Sequence, residues 1–404
     1  MERLALEGGE PVRKRPWPPR RPFGARESEL LSAALESQNL FGPSGTMVRG
    51  FERGFAELYG VPHAVACSSG TAAIHIALGA LDPDPGSEVI TAPITDAGTV
   101  APILFQNCVP VFADVDETLN LDPADVEAKL TDRTAAIIAV HLFGNPARVD
   151  RLADLARRHD IPLVEDCSQA HLATLDGTLC GTFGTIGCFS LQQSKHMTTG
   201  DGGVAITSDP ELAHRMALFR DKGWLRRPGP RGYALLGLNY RMTELQGAVG
   251  LAQLEKVRAV VRRRTDLGRA LRRRLEGVEG LRAAPTTPGA THTFWLFPIV
   301  VEGWDAAWFA RALAAEGIPA TSGYTGVPVY LMMEPLRERR TFGNTAHPLD
   351  GCHGGRAAHY PPGLCPQAEA LLERTVTIPL HEDLCEEDIA EIARAVWKVA
   401  RLAC

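Results

Sequence analysis

Residues 134–166 read TAAIIAVHLFGNPARVDRLADLARRHDIPLVED. Thr134–His141 is a short apolar, β-branched run of the kind that forms a strand buried on both faces. In Ala147–Arg158 the apolar residues Val149, Leu152, Leu155 and Ala156 recur at helical spacing. Pro162–Asp166 is a second apolar run that ends on two acids. Strand, amphipathic helix and strand in this order predict neighbouring parallel strands with a helix packed across them.

The alternation extends in both directions. Upstream lie strand candidates His63–Cys67, Glu88–Ala92 and Val109–Asp114, with helices Thr71–Leu81, Thr99–Gln106 and Pro123–Leu130 among them. Downstream lie Ile186–Leu191 and Gly203–Thr207. The prediction is an α/β fold with a mostly parallel seven-stranded central sheet and helices on both faces. Ligands of such a sheet sit beyond the carboxyl ends of its strands. A long helix over 244–264, ending in Arg262–Arg264, leads to a smaller C-terminal α/β domain. That unit carries strand Thr293–Val301 and helices Asp305–Glu316 and Glu386–Leu402, whereas 323–366 reads as loop. The expected division is an N-terminal segment over 1–45, a large domain over 46–264 and a small domain over 265–404.

A chain of 404 residues buries a large core without disulfides or metal staples. A net charge of −6 argues against a nucleic-acid protein that relies on phosphate neutralisation. No run approaches the ~20 apolar residues of a membrane span, and the Arg/Pro-rich opening lacks the apolar stretch of a secretory signal. Nine scattered cysteines fit reduced thiols and a cytoplasmic protein.

The basic residues include only six lysines. Lys14 lies in the Pro-rich opening, Lys222 in a turn, and Lys129, Lys256 and Lys398 on amphipathic helices that should leave them solvated. Lys195 differs. It follows a strand, in Ser190-Leu-Gln-Gln-Ser-Lys195-His-Met-Thr-Thr-Gly200-Asp-Gly-Gly203, among hydroxyls and glycines. Desolvation there would lower its pKa and free the amine for Schiff-base chemistry. Glu165 and Asp166 end the preceding strand on opposite faces. One of them can therefore serve the ring nitrogen of a pyridine cofactor. Cys67-Ser-Ser69-Gly70-Thr71 is a strand–turn–helix junction suited to phosphate. There is no dinucleotide fingerprint and no Walker loop.

These motifs, in this order, resemble the DegT/DnrJ/StrS family of fold-type-I, pyridoxal-phosphate-dependent sugar and aminocyclitol aminotransferases. The resemblance extends through His141-Leu-Phe-Gly144-Asn-Pro146, Thr199-Gly-Asp-Gly-Gly203 and Asn239-Tyr-Arg241-Met-Thr-Glu244. It implies that Lys195 carries the cofactor and shuttles protons, Asp166 pairs with the pyridinium nitrogen and Gln169 bonds the phenolic oxygen. Ser69, Gly70, Thr71 and Ser190 would hold the phosphate. Asn239 would reach the neighbouring subunit's phosphate, making the unit a homodimer. The implied reaction moves an amino group from glutamate or glutamine to a keto-sugar or keto-cyclitol, in aminoglycoside, amino-sugar or other secondary-metabolite biosynthesis. Pyridoxamine 5′-phosphate would be the half-reaction form.

Asp96 stands where family members carry an aromatic residue over the ring, so it either flanks the cofactor or meets the substrate. Gln192 replaces a common His, and Asp201 a Glu. Substrate contacts are assigned to Asp96, His196, Arg241 and Tyr324, with His292 a further pocket candidate. Arg226, Arg227 and Arg231 around Pro228 read as a solvated basic turn, and Cys67 as a small buried residue. The irregular spacing of His347, Cys352, His353, His359 and Cys365 argues against zinc, and no metal is expected. Two alternative functions stand beside the transaminase: a pyridoxamine-phosphate-dependent sugar dehydratase, whose members carry His in place of the lysine, and a non-catalytic cofactor-binding regulator.

Overall fold

The computed structural model describes residues 3–226, 229–355 and 357–402. Arg227 and Pro228 lie outside the described residues. The large sheet is built from β1 (His63–Cys67), β2 (Glu88–Thr91), β3 (Val109–Phe112), β4 (Thr134–Val140), β5 (Leu163–Asp166), β6 (Ile186–Ser190) and β7 (Gly203–Thr207). Their order is β1-β7-β6-β5-β4-β2-β3. The pairs from β6 to β3 are parallel, and β7 alone runs against its neighbours. The mostly parallel seven-stranded sheet is thus present. Its reversed strand has a plain cause: β6 and β7 are joined by the short segment that holds Lys195, with no crossover helix between them. The observed strands stop one or two residues before several of the expected ends, where the chain turns into the loops that carry the site.

Helices α1 (Ala25–Glu36), α2 (Met47–Tyr59), α3 (Gly70–Leu81), α4 (Ala97–Phe105), α5 (Pro123–Ala128), α6 (Val149–Arg158) and α7 (Pro210–Arg220) surround the sheet. Side-chain caps open several of them. Ser69 Oγ accepts from the Ala72 amide at 3.0 Å at the start of α3. Asp96 accepts from Gly98 at 2.7 Å at the start of α4. In α6 the predicted stripe Val149, Leu152, Leu155 and Ala156 is the buried face.

The long helix α8 runs from Glu244 to Arg274, ten residues past Arg264. The basic cluster does not end it, because Arg264 is buried and its Nε donates to Glu382 at 2.8 Å. The apolar periodicity then continues through Leu267 and Leu271. Val257 and Val261 pack in one core with α2 and β7, whereas Leu267 and Leu271 join the core of the C-terminal unit. That unit has a four-stranded antiparallel sheet of β8 (Leu281–Ala283), β9 (Leu296–Val301), β10 (Thr321–Ser322) and β11 (Thr375–Pro379), in the order β8-β9-β11-β10. It is flanked by α9 (Ala306–Ala315), α10 (Pro366–Arg374) and α11 (Glu386–Leu402).

The N-terminal residues pack on this unit as well. Leu4 lies in its core, and the buried Arg13 pairs with Asp388 at 2.8 Å. Lys398, expected to be solvated, is buried and bonded to Glu316 at 2.9 Å, since its face of α11 is covered by residues 5–12. The stretch 323–366 is mostly irregular but includes two single-turn helices, Val329–Met332 and Glu334–Arg337. No helix among the described residues is long and apolar enough to cross a membrane.

Candidate active site

The carboxyl ends of β1, β2, β5 and β6 open onto one cavity of about 360 Å³. It is lined by Ser69, Gly70, Thr71, Asp96, Asp166, Gln169, Ser190, Lys195 and Tyr324, and by Thr99 and Trp295. Nine of the predicted site residues thus come together from five separate stretches of chain.

Strand parity separates the two acids of β5. Glu165 turns to the far face, where its carboxylate accepts from the amides of Gly181, Phe183 and Gly184 at 2.7–2.8 Å. His141 Nε2 lies 3.1 Å from it. Since His141 Nδ1 accepts from the Ala147 amide at 3.0 Å, the ring proton sits on Nε2 and is donated to Glu165. Asp166 faces the cavity. It accepts from Thr99 Oγ1 at 2.9 Å and from the Ser168 amide at 3.1 Å. Thr99 is in turn 2.7 Å from Thr95 Oγ1. These two donors fix the orientation of the Asp166 carboxylate toward the cavity.

Lys195 Nζ sits 3.7 Å from the centroid of the Trp295 ring. The indole is itself fixed, its Nε1 donating to Ser194 O at 3.0 Å. Burial pulls the lysine ammonium down to about 8, against the opposing pull of the Asp166 and Asp96 charges. Gln169 is held at both ends. Its Oε1 accepts from the Phe143 amide at 2.7 Å, and its Nε2 donates to Tyr324 OH at 3.0 Å.

One part of the cavity wall is a helix N-terminus. The first amides of α3, at Gly70 and Thr71, have no partner within the helix and belong to residues that line the cavity. A Cβ on Gly70 would stand 2.7 Å from Ser190 Cβ. One on Gly203 would stand 2.1 Å from Ser69 O. Glycine at both places lets the turn after β1 close against the ends of β6 and β7. This cradle of amides, Ser69, Thr71 and Ser190 has the donors an anion needs.

Four predicted residues lie elsewhere. His196 is buried on the opposite side of the Lys195 segment, where its Nε2 lies 2.9 Å from Thr293 O. Arg241 pairs with Asp221 and sits 5.1 Å from the Phe41 ring. Asn239 is exposed, in a segment bridged to Asp221. His292 stacks on Phe294 at 3.7 Å, away from the cavity. In the basic turn, Arg226 pairs with Asp221 and stacks on Trp224 at 4.0 Å, while Arg231 lies 4.5 Å from the same ring. Cys67 is fully buried, as expected. Sequence reasoning did not find Thr99 or Trp295. The pairing of hydroxyls at Thr95 and Thr99, one helical turn apart at a cap, was the available signal for the first. Trp295 immediately precedes β9 and has none.

Residues 23–352 match the DegT/DnrJ/EryC1/StrS aminotransferase family, and the chain belongs to it. The L-glutamine:2-deoxy-scyllo-inosose aminotransferase of Streptomyces lividus is 36% identical, over 98% of this chain and 97% of its own. A putative L-glutamine:3-amino-2,3-dideoxy-scyllo-inosose aminotransferase of Micromonospora echinospora is 37% identical over 78% of each chain. The aminotransferase structure from Psychrobacter cryohalolentis superposes with a TM-score of 0.83 at 31% identity, covering 96% of this chain and all of that one. The architecture is that of fold type I, and the family's cofactor is pyridoxal 5′-phosphate. The cavity fits that group: it holds an anion cradle, the oriented carboxylate of Asp166 and a lysine of lowered pKa.

Proposed function

We propose that this chain transfers the amino group of L-glutamine, or of glutamate, to a keto-cyclitol of the scyllo-inosose type or a related keto-sugar. The observation that carries the reading is the placement of Lys195 and Asp166 in one cavity, in a chain aligned almost end to end with L-glutamine:2-deoxy-scyllo-inosose aminotransferases. Pyridoxal phosphate, when bound, supplies a ring that stabilises negative charge on the reacting carbon. The chain's residues do the rest. Ser69, Gly70, Thr71 and Ser190 bind the phosphate. Asp166, oriented by Thr99 and Ser168, would hold a proton at the ring nitrogen. The Gln169 amide, fixed by Phe143, would bond the phenolic oxygen. Lys195 in its neutral form would take a proton from the substrate carbon that bears the nitrogen and return it to the carbon on the other side of that nitrogen. Asp96 and Tyr324 border the space left for the acceptor.

The active unit in this reading is a homodimer. Asn239 and Arg241 lie outside their own chain's cavity, and the same segment exposes Tyr233 (57%) and Leu236 (95%). A second copy seated there would cover these apolar side chains and bring Asn239 to the partner's phosphate. A reducing cytoplasm suits the eight free thiols among the described residues.

The test is amine transfer from glutamine to 2-deoxy-scyllo-inosose, followed by mass spectrometry of the product. Mixed subunits of Lys195→Ala and Asn239→Ala should regain activity that neither variant has alone. No aminated product across a panel of keto-cyclitols and keto-sugars would overturn the reading. A deoxygenated product without net amine transfer would instead favour the dehydratase.

A further inference from the structure

Outside the cavity, the loop His347-Pro-Leu-Asp350-Gly-Cys352-His353 folds back on itself. The nitrogens of His347 and His353 and the sulfur of Cys352 all lie within 4.8 Å of one another. His347 Nδ1 is 3.4 Å from Cys352 Sγ. In a tetrahedral zinc site, with bonds of about 2.0–2.1 Å to nitrogen and about 2.3 Å to sulfur, a nitrogen and a sulfur ligand are roughly 3.5 Å apart. The observed spacing is the edge of such a tetrahedron. The irregular sequence spacing weighed against a metal, but the turn at Asp350, whose carboxylate accepts from the Cys352 amide at 3.1 Å, removes that objection.

Two further contacts prepare the set. His347 Nε2 lies 2.9 Å from Asn107 Oδ1, an acceptor. The ring proton is therefore on Nε2, and the Nδ1 lone pair is directed toward Cys352. Metal-bound histidines are commonly oriented by such an outer partner. His353 is anchored through its backbone: Arg133 donates to His353 O at 3.2 Å and to Gly86 O at 2.6 Å. Neither anchor uses the imidazole of His353.

We infer that His347, Cys352 and His353 form a zinc site, with the fourth position open to water or the Asp350 carboxylate. Two imidazoles and a thiolate are the borderline-soft donors zinc takes. On binding, the Cys352 thiol loses its proton to solvent and the Zn–S bond forms, with no change of oxidation state. The site would clamp the loop over 341–355 to Asn107, just past the end of α4, the helix capped by Asp96 and carrying Thr99 in its first turn.

The cofactor-loaded full chain, stripped by chelator and dialysed against Zn²⁺, should retain about one zinc per chain by elemental analysis. Asn107→Ala should weaken binding by about 10–100-fold, and His347→Ala and Cys352→Ser should weaken it further. His359→Ala and Cys385→Ser should leave it unchanged. Peptide-level alkylation needs no variant: zinc should protect Cys352 and leave the exposed Cys385 reactive. Equal zinc uptake by Cys352→Ser, or an unchanged alkylation rate at Cys352, overturns the assignment.

Discussion

Glu165 and Asp166 are adjacent carboxylates on one strand, and they lead opposite lives. Glu165 is sealed behind the sheet, where three amides and the His141 imidazole occupy its oxygens. Asp166 has two donors and an open cavity in front of it. A carboxylate whose lone pairs are all answered by its own chain organises structure. One that is held in place yet left partly unanswered is free for a ligand. The difference comes from strand parity and from which loops return to each face.

Lys195→Ala tests the chemistry on the Asp166 face most severely. It should lower amine transfer by about 10³-fold or more, in protein that melts at nearly the wild-type temperature. Asp166→Asn should cost about 10²-fold in turnover with little change in stability. Glu165→Gln should do the reverse. Its amide NH₂ would face backbone donors, costing about 3 kcal/mol of stability, while folded protein keeps its activity. Denaturant melts read beside steady-state rates separate the two cases. If Glu165→Gln lost activity while keeping its stability, the division of labour would be wrong.

Smaller changes sharpen the picture. Thr99→Val removes the hydroxyl donor to Asp166 and should slow turnover about tenfold, the worth of one hydrogen bond to a charged group. In cofactor-free protein, labelling of Lys195 by an amine-reactive reagent should rise with pH through about 8, because the neutral amine is the reactive form. Asp96→Asn removes a charge that favours the ammonium, so this midpoint should move lower. A midpoint that moved up, or stayed near the ordinary lysine value, would contradict the burial argument.

The seven strands and most helices were legible in the sequence because their periodicity is local. Lys195 could be isolated by elimination among six lysines, whereas the choice of Asp166 over Glu165 came from the family resemblance. Other features were set by distant partners. Arg262–Arg264 looked like a helix end, yet α8 continues because Glu382, more than a hundred residues away, receives Arg264. Lys398 looked solvated until residues 5–12 covered it. Trp295 reaches Lys195 only because β9 starts beside the large sheet. His196 shows the limit of adjacency: one residue from Lys195, it points into the protein interior instead.

The continuity of α8 through both cores has a consequence for how the molecule comes apart. The helix cannot keep its first half ordered while its second half loses its apolar partners, without exposing Leu267 and Leu271 on an intact cylinder. The amino-terminal arm, seated on the distal unit through Leu4 and Arg13, ties the chain's opening to its end. Heating should therefore produce a single calorimetric transition, and a chain severed near residue 264 should give no autonomous fragment.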